Sequence, residues 1–229
     1  MVIGGFQKMT VLDYPEKVAC TVFLAGCNFR CPFCHNASIV TANRIVGLDK
    51  EEIFSYLGKR KGLLDGVCIT GGEPLLNPDI EDLIRPIKEM GYSVKLDTNG
   101  TNPTKLKQLI ADGLVDYVAM DVKNSCEKYA LTCGVKAVNF TNIEESIKLL
   151  INGNIDYEFR TTVVEPLHTI EDIEAVGKLV NGAKALYLQG FVDSGELIGD
   201  GMNSASRETM WKMLEKVRPY VERAEIRGL

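Results

Sequence analysis

The chain has 229 residues, 45% hydrophobic and 25% charged, with a net charge of −5. This composition belongs to a globular chain able to bury a full core, and the absence of a basic footprint excludes nucleic acid as the expected partner. No apolar run reaches the length of a membrane span and the N-terminus has no signal-peptide pattern, so no membrane is expected and the expected location is cytoplasmic. Seven cysteines without an export signal suit a reducing compartment and metal chemistry better than a disulfide framework.

Residues 1–17 carry strand-like apolar positions, Val2, Ile3 and Phe6, broken by Gly4-Gly5 and followed by a turn at Asp13-Tyr14-Pro15. They predict a short hairpin ahead of the main domain. From residue 18 to 229, strand runs alternate with amphipathic segments. Strands are expected at Ala19–Leu24, Gly66–Thr70, Ser93–Asp97, Tyr117–Asp121, Tyr157–Val163 and Lys184–Gln189, with a closing strand at Ala224–Leu229. Helices are expected at Asp49–Arg60, Pro78–Met90, Thr104–Asp112, Asn142–Asn152, Ile170–Val180 and Ala205–Val217. Thr169, with Asp172 three residues on, has the form of a helix cap. Met210, Met213, Leu214 and Val217 have core-facing spacing, so this methionine stripe is read as packing.

Alternating strands and helices argue for a parallel sheet with helical crossovers, either an open doubly wound sheet or a partial barrel. The unusual residues gather at expected strand ends, the rim where β/α enzymes build their sites. The expected class is therefore α/β, a partial (β/α)6 TIM-type barrel with an N-terminal β-hairpin extension, in a single domain over residues 1–229.

The first strand runs into Gly26-Cys27-Asn28-Phe29-Arg30-Cys31-Pro32-Phe33-Cys34-His35-Asn36. A C-x3-C-x2-C spacing lets one loop turn three thiolates toward one centre, and thiolates favour iron–sulfur clusters or zinc. Three ligands where four are usual leave one metal position open for a small molecule. Gly71-Gly72-Glu73-Pro74 ends the second strand, where glycine lets backbone approach a ligand closely. It lacks the spacing of a dinucleotide loop. Asp97, Thr98 and Asn99 end the third strand and offer donors and acceptors for an amine or a ribose hydroxyl; Asn99-Gly100 alone also reads as a simple turn. Asp121 and Lys123 end the fourth strand on one face, as a ligand pair or as a local ion pair. Arg160, inside an apolar strand, needs an anion. Gln189 closes the sixth strand, as a reader of an adenine edge or as a plain loop residue. Cys20 and Cys68 read as core thiols, Cys126 and Cys133 as a surface or helix-packed pair, and His168 as structural. His35 is assigned no acid–base work, and no catalytic residue is expected beyond the cluster ligands.

The cysteine spacing, with Phe33 just before the last cysteine, resembles the motif of the radical S-adenosylmethionine (SAM) enzymes. The resemblance implies one 4Fe–4S cluster on Cys27, Cys31 and Cys34, with the amino and carboxylate groups of SAM on the fourth iron. It also implies a SAM site including Phe33, Gly71, Gly72 and Glu73, with the methionyl ammonium at the glycine turn and the SAM carboxylate available to Arg160. Gly4-Gly5-Phe6, Leu12-Asp13-Tyr14-Pro15, Cys34-His35-Asn36, Asp97-Thr98-Asn99-Gly100, Asp121-Val122-Lys123-Asn124 and Phe159-Arg160-Thr161-Thr162-Val163 extend the likeness over almost the whole chain. Together they are similar to the glycyl-radical-enzyme activases, and among these to the activating proteins of anaerobic ribonucleoside-triphosphate reductases. The implied activity is reductive cleavage of SAM to methionine and a 5′-deoxyadenosyl radical, which takes a Cα hydrogen from a glycine of a large partner enzyme. The implied electron donor is a flavodoxin or ferredoxin. Two positions depart from the pattern: Glu16 stands where glycine usually follows Asp-Tyr-Pro, and Ala37 where proline often follows Cys-His-Asn. The rival expectations are a small-molecule radical SAM enzyme, similar to 7-carboxy-7-deazaguanine synthase, and a zinc-binding interaction protein using Cys27, Cys31, Cys34 and His35.

Overall fold

A computed structural model of the chain describes residues 1–41, 46–193 and 195–229. The chain forms two compact units, Met1–Asn28 with Ser38–Thr98 and Thr104–Val118, and Phe29–Ala37 with Asn99–Pro103 and Ala119–Leu229.

In the first unit, β1 (Ile3–Thr10) pairs antiparallel with β2 (Ala19–Leu24), Ile3 opposite Leu24 and Thr10 opposite Ala19. The expected hairpin thus has β2 as its second arm. Its turn is pinned by Tyr14, buried to 2% exposure, and by Asp13, which accepts from Thr21 Oγ1 at 2.6 Å. After the short α1 (Ala37–Thr41), α2 (Lys50–Gly58) is capped by Asp49 and buries Ile53 and Leu57. β3 (Gly66–Gly71) lies parallel to β2, with Leu24 opposite Gly71, and β4 (Ser93–Thr98) lies parallel to β3. Buried residues run along β2 and β3 with little alternation, as parallel strands covered on both faces require. The covering helix α3 (Glu81–Glu89) turns Leu83, Ile84 and Ile87 inward. It starts three residues later than the expected Pro78 because residues 78–80 are used in turns. α4 (Pro103–Ala111) buries Leu106 and Leu109.

β5 (Tyr117–Asp121) leads into the second unit, followed by the single turn α5 (Tyr129–Thr132) and by α6 (Phe140–Asn152). β6 (Asp156–Glu165) and β7 (Ala183–Gly190) are parallel, linked by α7 (Ile170–Leu179), whose N-terminus has the expected Thr169/Asp172 capping box. The two-residue β8 (Asn203–Ser204) pairs antiparallel with the end of β6. α8 (Arg207–Val217) buries Met210, Met213, Leu214 and Val217, so the methionine stripe is packing. β9 (Val221–Arg227) closes parallel to β7, and its Arg227 makes a two-bond contact with buried Glu158 at 3.0 and 2.9 Å. Each unit repeats strand and helix around parallel strands, the mixed α/β class expected. Among the described residues, no helix is long and apolar enough to cross a membrane.

Glu16, the residue that departs from the glycine pattern, has φ +61°, and it is the one non-glycine among the described residues with positive φ. A side chain in this left-handed region costs about 1–2 kcal/mol, against about 0.5–1 kcal/mol of extra backbone entropy lost by glycine. Glu16→Gly should therefore stabilise the fold by roughly 0.5–1 kcal/mol in urea denaturation, and a loss of stability would contradict this backbone geometry.

Candidate metal and cofactor site

The first unit supplies Cys27 and the glycine turn. Gly71 has φ +118°, and a Cβ there would lie 2.3 Å from Leu24 O; one on Gly72 would lie 1.9 Å from Gly26 O. Backbone bonds fill that contact: Gly72 N–H donates to Leu24 O at 2.8 Å and Glu73 N–H to Gly26 O at 2.9 Å. The close approach that glycine permits is made to the start of the cysteine loop, with Cys27 Cβ 3.3 Å from the Gly72 Cβ position. Glu73 is 1% exposed and its carboxylate accepts from Thr98 Oγ1 at 2.7 Å and from Leu75 N–H at 3.1 Å. Asp97 binds the ammonium of Lys95, itself 1% exposed, and Cys68 Sγ lies 3.8 Å away. Lys95 was missed by the sequence reading. The signal was present, since residues two apart on a strand share a face and Lys95 interrupts an apolar run.

The second unit holds the rest of the loop. Cys34 N–H donates to Cys31 O at 3.1 Å, closing the turn through Pro32 and Phe33. Phe33 is buried with its ring 6.5 Å from His168, which is structural as expected. Val164 N–H donates to His168 Nδ1 at 3.1 Å, so Nε2 carries the proton that goes to Lys123 O at 2.7 Å. Exposed His35 packs on Phe191 at 5.9 Å. Asp121 forms the ion pair expected with Lys123, Nζ at 2.9 Å on Oδ2, and also supplies the anion that Arg160 needs, Nε at 2.9 Å on Oδ1. Asn99 Oδ1 accepts from Thr101 N–H at 3.0 Å and Thr101 Oγ1 at 2.7 Å, so its carbonyl oxygen shapes its own turn. Gln189, second from the end of β7, lies opposite Thr162 and Arg227 in the sheet.

Cys126 and Cys133 do not form the expected surface or helix-packed pair, because Cys126 is exposed whereas Cys133 is fully buried and hydrogen-bonded to Cys31. That bond draws the Cys31 thiol down to about 7 against the opposing effect of burial, helped by the Lys123 ammonium. Burial pushes Cys34 up, and burial pushes Cys20 up to about 12, as befits a core thiol. For Asp121 burial acts to raise the carboxyl, but Arg160 and Lys123 outweigh it and hold it well below the usual carboxylate range. Lys123 is in turn held above the ordinary ammonium range: Asp121 and Cys31 overcome burial.

Parallel strands ending in a three-cysteine loop, a glycine turn and paired charges define an α/β enzyme domain with metal–thiolate chemistry. Residues 21–180 match the family model described as Radical SAM superfamily, and the chain belongs to that superfamily. It is 37% identical over 193 residues to MJ1227 of Methanocaldococcus jannaschii, which carries the inferred name glycyl-radical enzyme activating enzyme; the match covers 82% of this chain and 79% of that protein. It is 32% identical over 187 residues to the pyruvate formate-lyase-activating enzyme of Clostridium pasteurianum, covering 78% and 74%. The fold is shared with Streptococcus suis SuiB, solved with bound S-adenosylmethionine, at a TM-score of 0.67 and 14% identity, covering 91% of this chain and 52% of that one. The chain is thus a radical SAM enzyme of the activase branch, and the partial-barrel class read from the sequence agrees with its structural neighbours.

Membership implies a 4Fe–4S cluster and SAM, and the residues fit them. None of the three loop cysteines is in a disulfide, and Cys31 is biased toward the thiolate that ligates metal. Among the described residues no three His, Cys, Asp or Glu side chains converge on one point to hold a single ion, as a tetrahedral zinc site requires. A cluster takes each thiolate on its own iron and needs no such convergence.

Two substitutions test this geometry. Gly72→Ala should destabilise the fold by about 1–3 kcal/mol or more by driving a methyl into the Gly26 carbonyl, read by chemical denaturation. Because the Asp121 carboxyl is depressed in the folded state, its contribution is full above about pH 4, the unfolded value, and is lost as pH falls below that. Asp121→Asn should cost roughly 2–3 kcal/mol at neutral pH and flatten the stability curve below pH 4. An unaltered acid limb would sink the three-charge arrangement.

Proposed function

We propose that this chain cleaves S-adenosylmethionine reductively and so removes a hydrogen atom from Cα of a glycine in a partner glycyl radical enzyme, one like the anaerobic ribonucleotide reductases. The observation that carries this reading is the loop from Gly26 to Asn36, which follows the first parallel strand in a chain of the radical SAM superfamily. Its support at the level of the activase branch comes from MJ1227 and the pyruvate formate-lyase-activating enzyme.

Cys27, Cys31 and Cys34 would hold one 4Fe–4S cluster, and when bound it supplies the electron that splits SAM into methionine and a 5′-deoxyadenosyl radical. The chain's own residues bind and orient. Gly71, Gly72 and Glu73 form the turn for the methionyl ammonium, with the Glu73 carboxylate fixed by Thr98. Asp97, held by Lys95, and Asn99, held in its turn, offer oxygens to ribose or amine. Arg160 and Lys123 present positive charge to the SAM carboxylate, with Asp121 setting their positions. Phe33 supplies an apolar wall and Gln189 an amide for the adenine edge. In this reading residues 1–229 act as one domain in the cytoplasm, reduced by a flavodoxin or ferredoxin, without nucleic acid or membrane.

The test is anaerobic reconstitution with iron and sulfide, reduction, and addition of SAM with a candidate glycyl radical enzyme. Methionine and 5′-deoxyadenosine should form together with a glycyl radical signal in the partner. Cys27→Ala/Cys31→Ala/Cys34→Ala should lose essentially all cluster iron and all SAM cleavage; iron retained at wild-type stoichiometry would refute the ligand assignment. Cleavage that transfers hydrogen from a small molecule and from no protein glycine would favour the enzyme class similar to 7-carboxy-7-deazaguanine synthase.

A further inference from the structure

Strand β9 ends the strand order of its sheet. It pairs in parallel with β7, from Val221 opposite Ala183 to Arg227 opposite Gln189, and among the described residues no strand pairs with its other edge. Side chains two apart on a strand share a face. On one face Arg223 and Arg227 lie over the ring of Tyr187, which stands opposite Glu225. On the other face Ala224 and Ile226 stand opposite Leu186 and Leu188, both fully buried. Beside them α8 leaves Trp211, the single tryptophan of the chain, 49% exposed at a groove of about 350 Å³ that Ala224, Ile226 and Leu229 also line. An open strand edge offers backbone N–H and C=O groups to another strand, and edges that must stay single are commonly guarded by charge. β9 carries charges of both signs, and their order decides what they repel.

We propose that the β9 edge is the interface of a homodimer, in which β9 pairs antiparallel with β9 of a second copy of this chain about a two-fold axis at Ala224. That register sets Arg223 of each copy opposite Glu225 of the other, and residues directly opposite on one face interact. Arg223 and Glu225 already pair within the chain at 2.8 Å with side chains 61% and 47% exposed, so exchanging them across the seam buries no unpaired charge. A parallel in-register copy would instead meet arginine with arginine and glutamate with glutamate. The charge order thus rejects one orientation and accepts the other, the self-complementary one that a two-fold interface requires. The same axis, perpendicular to the sheet, places both α8 helices on one face, with Trp211 of each copy beside the seam. There the second copy closes the apolar groove, and Arg207 and Arg218 line its rim. An aromatic anchor with arginines around it is the composition of interface centres.

The experiment is sedimentation equilibrium on the full chain, with tryptophan emission followed on dilution. The wild type should have twice the chain mass, and dilution should shift the Trp211 emission to the red as the seam opens. Arg223→Glu and Glu225→Arg should each weaken the dimer about tenfold or more, because like charges then meet on both sides of the axis. The double variant Arg223→Glu/Glu225→Arg should restore it. Mixing the two single variants should restore it as well, since a chain with two glutamates then meets one with two arginines. A pair acting only within one chain would not be rescued by mixing. Trp211→Ala should also weaken the dimer about tenfold or more, and it carries the measurement if a charge variant does not fold. A wild type that is monomeric at every concentration would overturn the proposal. So would a dimer indifferent to both charge reversals, or single variants that stay apart when mixed.

Discussion

Asp121 carries one negative charge between two cations, each on its own carboxylate oxygen, Lys123 on one and Arg160 on the other. Without it, two half-buried cations would share a region with no anion, a much larger penalty than losing a surface pair. The effect reaches the cysteine loop because Lys123 is the cation whose field acts on Cys31. His168 fixes the same residue from behind, donating to the Lys123 carbonyl while its ring meets Phe33, the neighbour of Cys34. Lys123 is therefore tied by its side chain to the acid and by its backbone to the loop's aromatic support. The second unit positions its two cysteines through charge and through this buried imidazole.

The first unit solves the corresponding problem by steric exclusion. β3 begins and ends in glycine. At its start, a Cβ on Gly66 would lie 2.9 Å from both Ser93 O and the ring of Tyr14, so the missing side chain makes room for the hairpin turn. At its end, Gly71 and Gly72 let backbone meet backbone at Leu24 and Gly26. The residue leading into Cys27 is thus held by main-chain hydrogen bonds, and these are insensitive to pH and salt. Glu73 and Thr98 then join the ends of β3 and β4 through a buried hydrogen bond.

The features legible in the sequence were those written into local pattern. Strand β2 and the Thr169 cap follow from short-range rules, and the cysteine spacing pointed to the superfamily that the chain belongs to. Glu16 was legible too, as a side chain where the pattern wants glycine, and its backbone adopts the left-handed conformation. What local pattern does not carry is which side chains meet across strands. Cys126 and Cys133 look equivalent seven residues apart, yet one faces solvent and the other is buried against the cysteine loop, its carbonyl accepting from Arg30 N–H. Nothing in the intervening residues announces this, because the contact depends on where α5 turns the chain against Arg30. Asn99 was open to two readings: the residue type suited both a ligand and a turn, and its side-chain oxygen bonds to Thr101.

The buried charges also indicate what the fold is for. Enclosing an ion pair is a poor route to stability, since well-packed apolar residues of similar volume serve as well or better. Yet each unit spends buried strand positions on such ions: Lys95 with Asp97 on β4, and Asp121 with Lys123 and Arg160 at β5 and β6, beside the Glu158–Arg227 pair of β6 and β9. Asp97 and Asp121 stand at or next to the ends of their strands, while Lys95 and Arg160 lie within theirs, with Val94, Leu96 and Phe159 as buried apolar neighbours along the chain. If they served stability alone, apolar side chains in their place would extend the core without desolvating a charge. Their value lies in holding full charges at fixed points beside the loops. Charges fixed in this way can hold an ionic group without rearrangement, and in both clusters the acid, Asp97 or Asp121, stands at or next to the end of its strand, where a loop and its ligand can reach it.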